Sequence, residues 1–69
     1  MRELELFADF LQRERDRFLA LEHTYALTEN PNVGTVRAYA LLAEKCGALR
    51  DSLKVLANDP GKFIKEYLQ

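Results

Sequence analysis

The chain has one cysteine, one histidine and no tryptophan among its 69 residues. One cysteine cannot form an internal disulfide, and one cysteine with one histidine cannot supply the four ligands of a structural zinc site. A domain of this size buries only ~60% of the surface that its unfolded chain exposes, and disulfides or metals are the usual remedies. We therefore expect no metal and no cofactor, and we expect stability to come from regular helix packing, self-association or a protein partner.

Long apolar runs are also missing, because no segment approaches the ~20 apolar residues that a membrane span requires. The opening residues, MRELELFADF, are acidic, whereas a secretory signal begins with a basic region that an apolar region follows. The lack of a cysteine framework is typical of proteins in a reducing compartment. These absences predict a cytoplasmic protein that does not contact the membrane.

An excess of positive charge is absent, since ten basic side chains stand against eleven acidic ones. Proteins that bind the phosphate backbone of nucleic acids usually carry such an excess, so nucleic acid is an unfavoured partner. The two halves of the chain differ in sign. Residues 1–30 hold four basic and seven acidic side chains, a net −3, and residues 31–69 hold six basic and four acidic, a net +2. Segments of opposite sign are suited to packing on each other.

Proline and glycine are scarce, and their positions divide the chain into helical segments. The pattern predicts helices over about residues 3–28, 33–57 and 60–68. Pro31 marks the turn between the first two helices, and Asp59 with Pro60 begins the third. A connection this short makes the two long helices antiparallel neighbours. The sequence thus predicts an all-α domain, namely a long antiparallel helical hairpin with a short third helix, which assembles into a helical bundle as a dimer or with a partner.

Apolar residues recur in steps of three and four along both long helices, which is the spacing of a packed seam. In an antiparallel hairpin the numbers of facing residues add to a constant, and a constant of 60 fits the position of the turn. It pairs Leu4 with Leu56, Phe7 with Leu53, Leu11 with Leu49, Glu14 with Cys46, Phe18 with Leu42, and Leu21 with Tyr39. We predict that these layers form the seam between the helices, and that Glu14 sets its register at some cost in stability.

The third helix is too short to be stable without a surface to pack on. Its apolar residues, Phe63, Ile64, Tyr67 and Leu68, share one side. Leu6 and Phe10 form a second apolar stripe on the first helix, at the open end of the hairpin. We predict that the third helix folds back over these two residues.

Groups that could carry catalysis are few. His23 lies outside the predicted seam and is interpreted as a surface histidine, and Cys46 lies within it, where a free cysteine usually acts as a small buried apolar residue. The sequence contains no glycine-rich phosphate loop and no metal-ligand spacing. We therefore expect a protein without enzymatic activity.

A stripe of small residues remains on the second helix. Its members are Val36, Ala40, Ala43 and Gly47, with Leu41 nearby. Small side chains let another helix approach closely, so this stripe is a candidate interface for a protein partner or for homodimerisation. The alternative is that it packs on the first helix at a tilted crossing, and the sequence leaves both open. The predicted function is a small protein–protein interaction module of the adaptor, inhibitor or helical co-chaperone type, or else an accessory subunit of a larger enzyme complex.

Residues 41–58, LLAEKCGALRDSLKVLAN, support a different interpretation. Leu42 and Ala43 before Gly47, and Leu53 and Leu56 after it, form a pattern that resembles the helix-turn-helix of bacterial DNA-binding regulators. The resemblance implies a break in the helix at Gly47. It also implies that the DNA groove is contacted by Arg50, Ser52 and Lys54. The seam requires a continuous helix at this point, and the lack of net positive charge favours the seam.

Overall fold

A computed structural model describes residues 2–68, which form three α-helices. Helix α1 is Arg2–Ala26, α2 is Val33–Asn58 and α3 is Pro60–Tyr67. Helices α1 and α2 pack along each other as a hairpin, and α3 continues from the end of α2. The prediction of an all-α chain built on a helical hairpin is confirmed.

Short side chains at the helix ends explain where the helices begin. The Asn32 side chain accepts a hydrogen bond from the backbone N–H of Thr35 at 3.1 Å, which caps the start of α2. Asp59 caps α3 in the same way, through the backbone N–H of Lys62 at 3.1 Å. The backbone N–H of Asp59 donates to the carbonyl of Val55 at 2.8 Å and closes the last turn of α2. Such caps satisfy backbone groups that a helix end would otherwise leave without partners.

Helix α2 is continuous through Gly47, over 26 residues. The break that the helix-turn-helix interpretation requires is therefore absent, and that interpretation of the backbone is wrong. Gly47 is buried, and a methyl group at this position would lie 3.2 Å from the Cδ atom of Arg15. The aliphatic part of the Arg15 side chain therefore fills the space that glycine leaves. Gly47 serves the contact between two helices and does not form a turn.

Helices α1 and α2 approach each other most closely along small residues, and only part of the predicted seam lies between them. The buried positions are Ala8 and Leu11 of α1 and Ala43 and Gly47 of α2. Three residues that were predicted to lie between the helices are exposed, namely Phe7 by 48%, Leu42 by 43% and Leu49 by 47%. The predicted seam is wrong at these positions. Small side chains allow the closest approach of the two helices, and α2 is rotated about its own axis so that its leucines turn to one side.

The lengthwise alignment of the two helices stays close to the prediction. Arg50 donates a hydrogen bond to the side chain of Gln12, and Arg15 lies against Gly47. The numbers in each of these pairs add to 62, against the predicted 60. The turn therefore determines which levels of the hairpin face each other, while the rotation of α2 determines which side chains meet there.

Helix α3 contacts α2 but not α1, since within residues 2–68 no Cα atom of α3 lies within 8 Å of one in α1. Leu6 is 52% exposed and Phe10 is 44% exposed. The prediction that the third helix covers them is wrong. Only Asp59, whose backbone is extended with φ −153° and ψ 85°, separates α2 from α3. The backbone angles of this one residue set the direction of α3, which, over residues 2–68, leaves it out of contact with α1.

The hairpin and α3 form a layer that is one helix thick, with extents of 49 × 25 × 10 Å. Its accessible surface is 5186 Å². A compact monomer of 8.0 kDa has an accessible surface of about 4,450 Å². Within residues 2–68 no large side chain is fully buried. The single layer thus leaves much of its apolar surface in contact with water.

Candidate functional site

Large apolar side chains line one side of the layer. The ring of Tyr39 stacks on Phe18 and on Tyr25, with centroid distances of 6.1 and 5.5 Å, so these flanks of α2 and α1 lie on the same side. Residues three or four apart share one side of a helix, and the surface therefore continues along both helices. We name it the apolar face. Its members are Phe7, Phe10, Phe18, Leu21 and Tyr25 of α1 and Tyr39, Leu42, Cys46, Leu49 and Leu53 of α2.

Half of the apolar face is substantially exposed to solvent. The exposed fractions are 48% for Phe7, 44% for Phe10, 42% for Tyr25, 43% for Leu42 and 47% for Leu49. The other members are half-buried. Contiguous exposed apolar patches on soluble proteins mark sites of interaction with another molecule. The apolar face is therefore the candidate functional site.

One charged pair interrupts the apolar face near the middle of α1. The Nε atom of Arg17 donates to the Glu14 carboxylate at 2.7 Å, and the Arg17 guanidinium lies 5.3 Å from the centroid of the Phe18 ring. The Glu14 side chain is 26% exposed and that of Arg17 is 63% exposed. The Arg17 guanidinium thus neutralises the Glu14 carboxylate within α1. It also lies against the Phe18 ring at the edge of the apolar face.

The opposite side of the hairpin is mainly polar, with Leu19 as an exposed apolar residue on it. By helical spacing from Gln12 and Asp51, the exposed acidic residues Glu5, Asp9, Asp16, Glu44 and Asp51 lie there. Arg50 binds this side of the two helices together, because it donates to Gln12 of α1 and its Nη2 atom lies 2.8 Å from the Asp51 carboxylate. The layer is consequently amphipathic, with one apolar side and one charged side.

The structure separates the residues of the predicted partner interface. Ala43 and Gly47 are buried between α1 and α2, as the tilted-crossing alternative predicted, and they cannot reach a partner while the hairpin is closed. Val36 and Ala40 are half-buried along the same line. Leu41 is 51% exposed and points away from α1. A role for these five residues in homodimerisation or partner binding stays a prediction.

The members of the apolar face are evident as apolar residues in the sequence, but most of them were predicted to lie in the interior of the hairpin. Two stripes on α2, one of large residues and one of small residues, both have helical spacing. Periodicity cannot decide which of them faces α1. The signal that could have found the face is the close approach that Gly47 permits, because it favours the small stripe as the inner one.

The residues that the helix-turn-helix resemblance implied as DNA contacts are not presented together. The Arg50 side chain is only 18% exposed and is engaged by Gln12 and Asp51. The Ser52 hydroxyl donates to the carbonyl of Ala48 within α2, at 3.0 Å. Lys54 is exposed. The continuous helix therefore does not present Arg50, Ser52 and Lys54 as one groove-reading set.

Other chemical groups are dispersed over the molecule. His23 is exposed on α1, and Cys46 is a free, half-buried thiol. Over residues 2–68 no three histidine, cysteine or acidic side chains converge on a point where a metal ion could bind. Within that range, none of the helices combines the length and the hydropathy that are needed to cross a bilayer. No protein-family model, curated protein or solved structure matches the chain.

Proposed function

We propose that this chain is a small non-enzymatic protein–protein interaction module that acts through helix–helix packing. The observation that carries the proposal is the apolar face, where five large apolar side chains are between 42% and 48% exposed on a layer one helix thick. Domains bury their apolar sides between two packed layers, and this chain supplies one layer. The missing layer comes from the helices of another polypeptide. Adaptors, inhibitors, helical co-chaperones and accessory subunits of enzyme complexes all act in this way.

The free energy of burying these side chains indicates how much of the apolar face a partner must cover. Burial of the exposed half of one Leu or Phe side chain contributes about 1 kcal/mol. Association itself costs at least ~4 kcal/mol of lost motional freedom. A partner that covered only one or two of these side chains would not stay bound. The binding partner therefore covers several of these side chains at once.

The chemistry of the apolar face also supports a binding function. Its charged groups are the Glu14–Arg17 pair, and its one thiol is that of half-buried Cys46. The Glu14 carboxylate already accepts a hydrogen bond from Arg17 at 2.7 Å, and the remaining members are mainly apolar, so the face is suited to packing. A single unpaired cysteine agrees with a cytoplasmic location.

Two adjacent leucines provide a matched test. Leu42 lies on the apolar face and is 43% exposed, whereas Leu41 points elsewhere and is 51% exposed. We expect Leu42→Glu to reduce the recovery of protein that co-purifies with a tagged chain from its source cells by about tenfold or more, because it places a charge where an apolar contact forms. Leu41→Glu introduces the same charge off the face and should leave recovery unchanged. Quantitative mass spectrometry of the captured proteins, including untagged copies of the chain, measures the effect.

The control for this test is circular dichroism, which establishes that both variants keep their helices. Equal recovery of every captured protein by the wild type, Leu41→Glu and Leu42→Glu would contradict the proposal. Loss of recovery in both variants to the same degree would show that the binding surface is not the apolar face.

A further inference from the structure

We infer that the molecule covering the apolar face is a second copy of this chain, and that two copies pack face to face as a four-helix bundle. The inference rests on the proposed function and states which molecule binds the apolar face. Three properties of the hairpin support it, namely the area of the face, the match of residues between α1 and α2, and the charges of the two helices.

The area of the apolar face is sufficient for a specific dimer interface. The face runs from Phe7 to Tyr25 along α1. At 1.5 Å per residue this length is ~28 Å, and two adjacent helices are ~20 Å wide, so the face covers roughly 560 Å². Two such faces together bury about 1,100 Å², and a specific interface needs about 1,000 Å². The accessible surface of 5186 Å² also exceeds that of a compact monomer by about 750 Å². Packing on a second copy would remove most of this surplus.

A second copy also matches the face level by level. Rotation by 180° about an axis parallel to the helices places α1 of each copy on α2 of the other, in antiparallel orientation. Because α1 and α2 are aligned within each chain to within two residues of a constant of 60, Phe7 then lies within one helical turn of Leu53 of the second copy. Phe18 likewise lies within one turn of Leu42, and Leu21 within one turn of Tyr39. These are the pairs that the sequence periodicity predicts as a seam. Within one chain these residues are members of the apolar face, and between two copies they form the core of the interface.

The net charges of the helices favour the arrangement in which α1 of each copy lies on α2 of the other. Helix α1 carries four basic and six acidic side chains, a net −2, and α2 carries four basic and two acidic, a net +2. With α1 of each copy on α2 of the other, every helix of the bundle has neighbours of opposite net charge. Placing α1 on α1 and α2 on α2 would bring like charges together. Electrostatic complementarity of this kind sets the orientation of partners more than their affinity.

The Glu14 carboxylate lies in the middle of this interface, within one helical turn of Cys46 of the second copy. Covering it removes water from the carboxylate, which opposes dimerisation even though Arg17 stays beside it. Replacement of Glu14 by leucine therefore removes a penalty and adds an apolar contact. This substitution strengthens the dimer, and a folding defect cannot imitate that effect.

The test is sedimentation equilibrium of the purified full chain as the wild type and three variants. The wild type and Leu41→Glu are expected to reach twice the chain mass of 8.0 kDa. Leu42→Glu should raise the dissociation constant by about 100-fold, since each dimer contains the substitution twice. Glu14→Leu should lower the dissociation constant by about tenfold or more.

Several outcomes would overturn the inference. If the wild type and Glu14→Leu both remain at 8.0 kDa at millimolar concentration, a second copy is not the partner. In that case the proposed function is still supported if Leu42→Glu abolishes the capture of a different protein. If no such capture is seen, the inference and the proposed function are both contradicted. Masses beyond twice that of the chain would contradict a closed two-fold dimer. If Leu42→Glu unfolds, the response of Glu14→Leu decides the question.

Discussion

At the scale of single residues, Gly47 and Arg15 determine how closely the two long helices approach. A methyl group on Gly47 would lie 3.2 Å from Cδ and 3.3 Å from Nε of Arg15. These distances are tight, but the atoms belong to a flexible side chain that is 37% exposed. A small shift of Arg15 can therefore accommodate alanine, whereas a larger side chain would force the helices apart.

We expect Gly47→Ala to stabilise the protein. Alanine in a helix interior is favoured over glycine by about 1 kcal/mol. In a domain of this size that corresponds to an increase in melting temperature of about 4–8 °C, which thermal unfolding followed by circular dichroism measures. Gly47→Leu should lower the melting temperature, because its side chain cannot fit beside Arg15.

Ala48→Gly is the matched control for this prediction. Ala48 is the exposed neighbour of Gly47 in the same helix, so the substitution reports helix propensity without the contact between helices. It should cost about 1 kcal/mol. A melting temperature that falls in Gly47→Ala would show that Arg15 cannot move and that the hairpin requires glycine at this position.

At the scale of elements, α3 is attached to the hairpin without being part of its core. It contacts α2 and, within residues 2–68, has no contact with α1. The rings of its aromatic residues, Phe63 and Tyr67, pack against each other, with centroids 5.0 Å apart. The cap that ends α2 is formed by the backbone of Asp59, which precedes α3. The contacts between α1 and α2 therefore do not involve α3.

We expect a chain truncated after Asp59 to keep the hairpin. Its melting temperature should change by less than ~4 °C, the shift that about 1 kcal/mol produces in so small a domain. Leu11→Ala provides the comparison, because Leu11 is 6% exposed and its truncation should cost ~2–5 kcal/mol. Circular dichroism at increasing temperature measures both. A truncated chain as unstable as Leu11→Ala would show that α3 supports the hairpin.

At the scale of the whole molecule, the hairpin has too little interior to account for much stability. Over residues 2–68 the buried apolar side chains are Ala8, Leu11 and Ala43, and two of the three are alanines. We expect that burial of the apolar face between molecules contributes to the stability of the folded chain. Stability that depends on association depends on protein concentration.

We therefore expect the melting temperature of the wild type to rise with protein concentration between micromolar and millimolar solutions. The reason is mass action, since association selectively stabilises the folded chain. Leu42→Glu should show a lower melting temperature that does not vary with concentration, and Leu41→Glu should follow the wild type. Differential scanning calorimetry at several concentrations measures this, and a constant melting temperature for the wild type would contradict it.

The sequence alone determined the features that depend on local chemistry and on chain length. Pro31, Asn32 and Asp59 act on the backbone within a few residues, so their positions indicate where the helices end. The short connection around Pro31 makes α1 and α2 antiparallel and aligns them to within two residues of the predicted register. The lack of metal-ligand and phosphate-loop motifs likewise follows from residue types and spacing.

Only the tertiary structure decided which side of α2 faces α1 and where α3 points. The rotation of α2 results from competition between two stripes of equal periodicity. Its outcome depends on how closely Gly47 and Ala43 let the helices approach, which is a property of the packed pair. The direction of α3 depends on the backbone angles of one residue, Asp59. For the same reason the apolar residues of the face could be named from the sequence, but their exposure could not.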